Sequence, residues 1–133
     1  MNISLTSHNY GRHYPANAYV LWTFHYEVGQ DTTDIVYQVS FGYISFGSSD
    51  FLRIGSGSQP NNSESSVTYG NHYYGSPNDF SLPAGDMFVE FDADSYGESG
   101  GFQLYIAVRN VSGMSSFHLH NVVVFINLMS NKW

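Results

Sequence analysis

The stretch from Gly85 to Val108, GDMFVEFDADSYGESGGFQLYIAV, decides the fold class. In its first half Met87, Val89 and Phe91 alternate with Phe88, Glu90 and Asp92. In its second half Phe102, Leu104, Ile106 and Val108 alternate with Gln103, Tyr105, Ala107 and Arg109. A period of two is the mark of half-buried strands, because successive side chains leave a strand on opposite faces. The two segments read as a hairpin. The loop between them carries Asp92, Asp94 and Glu98 beside Gly97, Gly100 and Gly101. Carboxylates crowded onto permissive backbone are either solvated loop chemistry or the makings of a cation site.

The same alternation recurs on both sides. Ala18 to Val28 sets Val20, Trp22, Phe24 and Tyr26 against Tyr19, Leu21, Thr23 and His25. Ile35 to Phe41 sets Tyr37, Val39 and Phe41 against Val36, Gln38 and Ser40. Shorter strands are expected at Ile3 to Thr6, Tyr43 to Phe46, Phe51 to Ile54 and Val67 to Tyr74. A final strand is expected within Phe117 to Leu128. Ser56 to Ser66 reads as an exposed loop, and Gly75 to Gly85, with Pro77 and Pro83, as mostly turn. No window shows helical period. Many short strands with frequent turn signals predict an all-β fold, an antiparallel two-sheet β-sandwich of jelly-roll type.

The 133 residues suit one domain with a real core. There is no cysteine, which excludes disulfides, thiolate metal sites and a cysteine nucleophile. The formal charge is −7, with only Arg12, Arg53, Arg109 and Lys132 positive. That opposes phosphate-mediated nucleic-acid binding and adhesion to anionic membranes. The longest strongly apolar run, Val122 to Ile126, is too short for a membrane span. No signal peptide is visible, so a secreted protein is expected here in mature form.

Three segments in order resemble the CUB domain family. Asn9-Tyr10, Tyr14-Pro15 and Asn17, followed by Trp22, are similar to the family's opening pattern. Asp50-Phe51-Leu52-Arg53-Ile54 with Gly55 and Gly57 is similar to its YDYLEIYDG. Phe88 to Phe91, Asp94-Ser95, Gly101-Phe102 and Tyr105 are similar to its hxVxFxSD…GFxxxY. The resemblance implies a compact jelly-roll-like sandwich spanning residues 3–109, with 110–133 as a C-terminal extension carrying an extra strand. Val20 stands where the family has its first cysteine, and Tyr69-Gly70 where it has a Cys-Gly. Both usual disulfides are therefore absent.

The resemblance also implies a non-catalytic, extracellular recognition module. Many members bind Ca²⁺ through acids that correspond here to Asp50 and Asp94, with Tyr14 supporting them. The family's third acid, a Glu, is replaced by the short connection containing Ser45, Gly47 and Ser48, and Asp92 is the substitute within reach. The alternative is that Asp50 and Asp94 only cap loops by accepting hydrogen bonds from backbone amides. Even without metal, Asp50, Asp92, Asp94 and Glu98 would present an acidic patch to a basic partner side chain.

Other functions have weaker motivations. Loop tyrosines, namely Tyr10, Tyr14, Tyr43, Tyr73, Tyr74 and Tyr96, form either a recognition surface for protein or glycan, or packing that stands in for disulfides. Trp22, by its alternation, belongs to the core. The segment 117–128 would complete a sheet or pair with a second copy of the chain, giving a homo-oligomer. His118 and His120, about 7 Å apart on one strand face, would need a third ligand to hold zinc. Nothing resembles a nucleophile motif. Asn2, Asn61 and Asn110 begin Asn-x-Ser patterns, of which Asn61 lies in the most exposed-looking loop.

Overall fold

A computed structural model describes residues 2–7, 17–26, 35–62, 66–70, 72–93, 100–110 and 122–129. Two antiparallel sheets carry the fold. The four-stranded sheet has the order β1 (Asn2–Thr6), β10 (Gln103–Asn110), β3 (Ile35–Phe41), β8 (Phe80–Pro83). The five-stranded sheet has the order β11 (Val122–Met129), β2 (Tyr19–Tyr26), β9 (Asp86–Asp92), β5 (Phe51–Ser56), β6 (Ser66–Gly70). A third, minimal pairing joins β4 (Ile44–Ser45) to β7 (Tyr74–Gly75).

The core lies between the sheets, where alternation had placed it. Leu104, Ile106 and Val108 of β10 and Tyr37 and Val39 of β3 face Trp22, Phe24 and Tyr26 of β2, Met87, Val89 and Phe91 of β9, and Leu52 and Ile54 of β5. At one end of the core Phe91 packs on Phe102 at 5.2 Å and on Phe46 at 5.7 Å, and Trp22 meets Phe102 edge-to-face at 5.9 Å. Along one side Phe41, Tyr69, Tyr73 and Phe80 form a second aromatic chain, with centroids 5.2 to 6.0 Å apart. That side is where β6 and β8 are the edge strands of their sheets. Aromatic pairs of this geometry add stabilisation beyond the area they bury. Tyr69, which the resemblance sets at a family cysteine position, and Trp22, two residues after Val20 at the other, thus join the sandwich by ring packing.

Two expectations need correction. Met87–Phe91 and Phe102–Val108 are not a hairpin. β9 lies in the centre of the five-stranded sheet between β2 and β5, and β10 in the four-stranded sheet between β1 and β3. The connection 93–102 crosses from one sheet to the other, whereas tight hairpins use loops of about two to five residues. The stretch 75–85, expected as mostly turn, also holds a strand, because β8 spans Phe80–Pro83. Phe80 pairs with Val39 and Leu82 with Tyr37. Pro83 is tolerated there because β8 is an edge strand, with no further ladder to supply.

The expected C-terminal strand is present as β11. It pairs antiparallel with β2 from Val122↔Tyr26 to Met129↔Tyr19. The described part of the expected 117–128 strand, from Val122 onward, thus adds the fifth strand to this sheet within the chain.

Candidate functional site

The starts of β2, β5 and β10 and the ends of β1, β3, β6 and β9 meet at one end of the sandwich. Backbone hydrogen bonds knit this end together. Ala93 N–H donates to the Ala18 carbonyl at 2.8 Å, Ser7 N–H to that of Phe102 at 3.1 Å and Gly42 N–H to that of Gln103 at 2.8 Å. Ser45 and Gly101 exchange a pair of bonds at 2.8 and 2.9 Å, and Phe46 N–H donates to Tyr73 at 3.0 Å. The Phe46–Phe91–Phe102 cluster lies beneath these ties.

Asp50 sits here, at the entry to β5, and is fully buried. Ser49 before it has φ 65, a left-handed conformation uncommon without glycine. Asp50 then shares the inward parity of Leu52 and Ile54. Gly70 closes over it: a Cβ at Gly70 would lie 2.5 Å from the Asp50 carbonyl oxygen and 2.7 Å from Phe51 Cβ. Glycine is required for that approach. A shallow cavity of about 320 Å³, lined by Ser49, Asp50, Phe51, Thr68 and Gly70, opens beside it.

Asp92 is half-buried at the end of β9, opposite Phe51 on one side and Tyr19 on the other. Its strand neighbours Phe91 and Ala93 point into the core, so Asp92 takes the outward side of the sheet. Tyr14, Asp94, Tyr96 and Glu98 lie outside the described residues, as do Tyr10, His118 and His120. The described residues flanking 8–16 and 94–99, namely Ser7, Ala18, Ala93 and Gly101, all belong to the same end as Asp50. Among the described residues no three His, Cys, Asp or Glu side chains group closely enough to hold a metal ion. Calcium needs hard oxygen donors, and a carboxylate with hydroxyl and carbonyl oxygens around it is a donor set of that kind. Asp50 and its surroundings fit that chemistry as one part of a ligand set.

Of the loop tyrosines, Tyr43 and Tyr74 are more than half exposed near β4 and β7, while Tyr73 packs on Tyr69.

A second cluster was not anticipated. On the outward face of the five-stranded sheet Glu90 is buried. Its Oε1 accepts from Arg53 Nη2 at 2.7 Å and Nε at 3.1 Å, and its Oε2 accepts from the Tyr19 hydroxyl at 2.6 Å. Arg53 also lies over the Phe51 ring, 5.8 Å from its centroid. Burial first, then the bond to Glu90, pushes the Tyr19 hydroxyl up to about 12. Cross-strand register brings these residues together, with Arg53↔Glu90 as direct partners and Tyr19 two positions along β2 from Leu21, the residue opposite Glu90, on the same face. The available sequence signal was a Glu and an Arg sharing outward parity on strands of a cation-poor chain.

The family model of the CUB domain matches residues 1–106, and the chain belongs to the CUB domain family. CUB domains are extracellular protein-interaction modules and generally non-catalytic. The fold is similar to the crystal structure of the MASP-1 CUB2 domain bound to Ca²⁺, with a TM-score of 0.60. That match is 20% identical and covers 79% of this chain and 90% of the other. At that identity the likeness concerns the fold. No curated protein sequence matches the chain significantly. Among the described residues no helix is long and apolar enough to cross a membrane.

Proposed function

We propose that this CUB domain is an extracellular, non-catalytic recognition module that engages a protein partner through the end of the sandwich holding Asp50. In this reading Asp50 and Asp94 supply carboxylate oxygens to Ca²⁺ and Tyr14 supports them, while Asp92, expected from the sequence as a substitute ligand, lies on the outward side of the sheet and belongs to the acidic surface beside the site. Tyr96 and Glu98 belong to the surface offered to the partner. Bound calcium would supply charge that braces the connections at this end. The protein's own acids would then orient toward a basic partner side chain, which forms the strongest hydrogen bonds with carboxylates.

The observation that supports this reading most is the complete burial of Asp50 at a strand–loop junction. A carboxylate is held away from water only where hydrogen bonds or a counter-charge compensate it, so Asp50 is a fixed acid at the loop end rather than a solvated one. The test is thermal melting with and without millimolar Ca²⁺, on the wild type and on Asp50→Asn. Ligand at a hundredfold its Kd stabilises by about 2.7 kcal/mol. A rise of several degrees is expected in the wild type and none in Asp50→Asn. An unchanged wild-type melting temperature refutes the calcium site.

A further inference from the structure

Strands of a two-sheet sandwich ordinarily bury one face, yet on β9 the outward Phe88 and Glu90 are buried as well. The chain leaving β5 accounts for this. Gly57 N–H donates to the Asp86 carbonyl at 2.8 Å, continuing the β5–β9 ladder, and at the positive φ of Gly57 (102°) the chain bends so that Ser58 to Asn61 line a cleft with Glu90 and the outward residues of β2. A single 3₁₀ turn, Pro60–Asn62, follows. This segment does not lie flat on the sheet. Between it and β2 runs an open cleft of about 420 Å³. Tyr19, Leu21 and Thr23 form one wall, and Ser58, Gln59, Pro60 and Asn61 the other. Glu90 is at the floor. A smaller cleft of about 220 Å³ adjoins it, sharing Thr23 and Ser58 and reaching His25 and Asp86, whose side chains are paired at 2.7 Å. The groove follows β2 from Tyr19 to His25, a length of about 20 Å at the rise of a strand.

We infer that this groove is a binding site for a neutral saccharide, separate from the Asp50 end. Its volume falls within the range of roughly 300–1,000 Å³ typical of small-ligand sites. In the larger cleft the electrostatics select against charged ligands, and in the smaller one the Asp86 carboxylate is paired with His25. Glu90 is the acid at the floor of the larger cleft, and Arg53 matches it with two hydrogen bonds, so neither an anion nor a cation finds an uncompensated charge there. The walls instead offer neutral donors and acceptors: the amides of Gln59 and Asn61 and the hydroxyls of Thr23 and Ser58. The Tyr19 hydroxyl gives its proton to Glu90, which fixes its ring at the cleft wall. Leu21 and Pro60 add apolar surface on opposite walls. A sugar ring has that composition, with hydroxyls at its rim and C–H groups on its faces. Among the described loop tyrosines, Tyr43, Tyr73 and Tyr74 do not line this groove.

The test is a glycan array carrying neutral and sialylated or sulphated structures. It uses the full chain made without N-glycosylation, so that the Asn61 amide is free. Binding to at least one neutral glycan is expected, unaffected by EDTA. Calorimetry with that glycan should show at least tenfold weaker binding for the double variant Gln59→Ala/Asn61→Ala, at an unchanged melting temperature. Thr23→Trp, which fills the cleft from the opposite wall, should abolish binding. A blank array, binding confined to charged glycans, loss of binding on adding EDTA, or full affinity in both variants would overturn the assignment. The EDTA arm separates this site from calcium-dependent recognition at Asp50.

Discussion

The two sheets treat their outward faces differently. On the four-stranded sheet the outward residues of β10 are Gln103, Tyr105, Ala107 and Arg109, with Tyr105 40% exposed, and they behave as alternation predicts. On the five-stranded sheet the outward residues of β9 include Phe88, which is fully buried, and Glu90, which is nearly so. Both strands alternate equally well in sequence. The difference is made by 57–62, which returns over one sheet and has no counterpart among the described residues over the other. An outward position that is buried has acquired a second layer, and a second layer over a sheet creates walls and therefore clefts.

The largest expected effect separates the two faces directly. Phe88→Ala should cost about 3–5 kcal/mol, as a fully buried aromatic does, while Tyr105→Ala should stay below about 1 kcal/mol. Urea unfolding measures both. Equal costs would mean that Phe88 is not covered as described. Next, Glu90→Ala removes the partner of Arg53 and Tyr19 and should cost about 1.5–3 kcal/mol, the range of hydrogen bonds to charged groups. Arg109→Ala on the other sheet should change stability by no more than about 0.5 kcal/mol. The same unfolding curves decide between them.

The last expected effect is a pH dependence. The Tyr19 proton is held more tightly in the folded protein, at about 12 against an ordinary 10, by burial and by Glu90. Burial also raises Tyr37, whose hydroxyl donates to the Gly85 carbonyl at 2.6 Å, and Tyr69. A group whose folded value is raised contributes fully below the unfolded value and loses that contribution as pH climbs through the folded one. Stability should therefore be level up to about pH 10 and decline from there toward 12. Tyr19→Phe should flatten part of that decline, read as melting temperature against pH.

Face assignments were legible in the sequence because they depend only on the period of two. Trp22, Phe24, Val89, Leu104 and Ile106 all lie where that period put them. Partner assignments were not legible, because the period names a face and not a neighbour. This is why β9 and β10 looked like one hairpin yet belong to different sheets. β8 was hidden by Pro83, which a central strand would not accept but an edge does. At the Asp50 end the sequence pointed to the acid itself, and the structure adds its burial and its dependence on Gly70. The Glu90–Arg53–Tyr19 cluster was out of reach, since it needs strand order across β2, β9 and β5 together with the return of 57–62.

The ring-to-ring packing at the end and side of the core has a consequence for how the domain is made. A disulfide acts largely by restricting the unfolded chain. Aromatic contacts act only once the folded state exists. This chain, with no cysteine, has an unrestrained unfolded ensemble, and its stability comes from buried apolar surface, whose exposure gives unfolding a large heat capacity. Reducing agents should leave its melting curve untouched, and no oxidative maturation step stands between synthesis and the native fold.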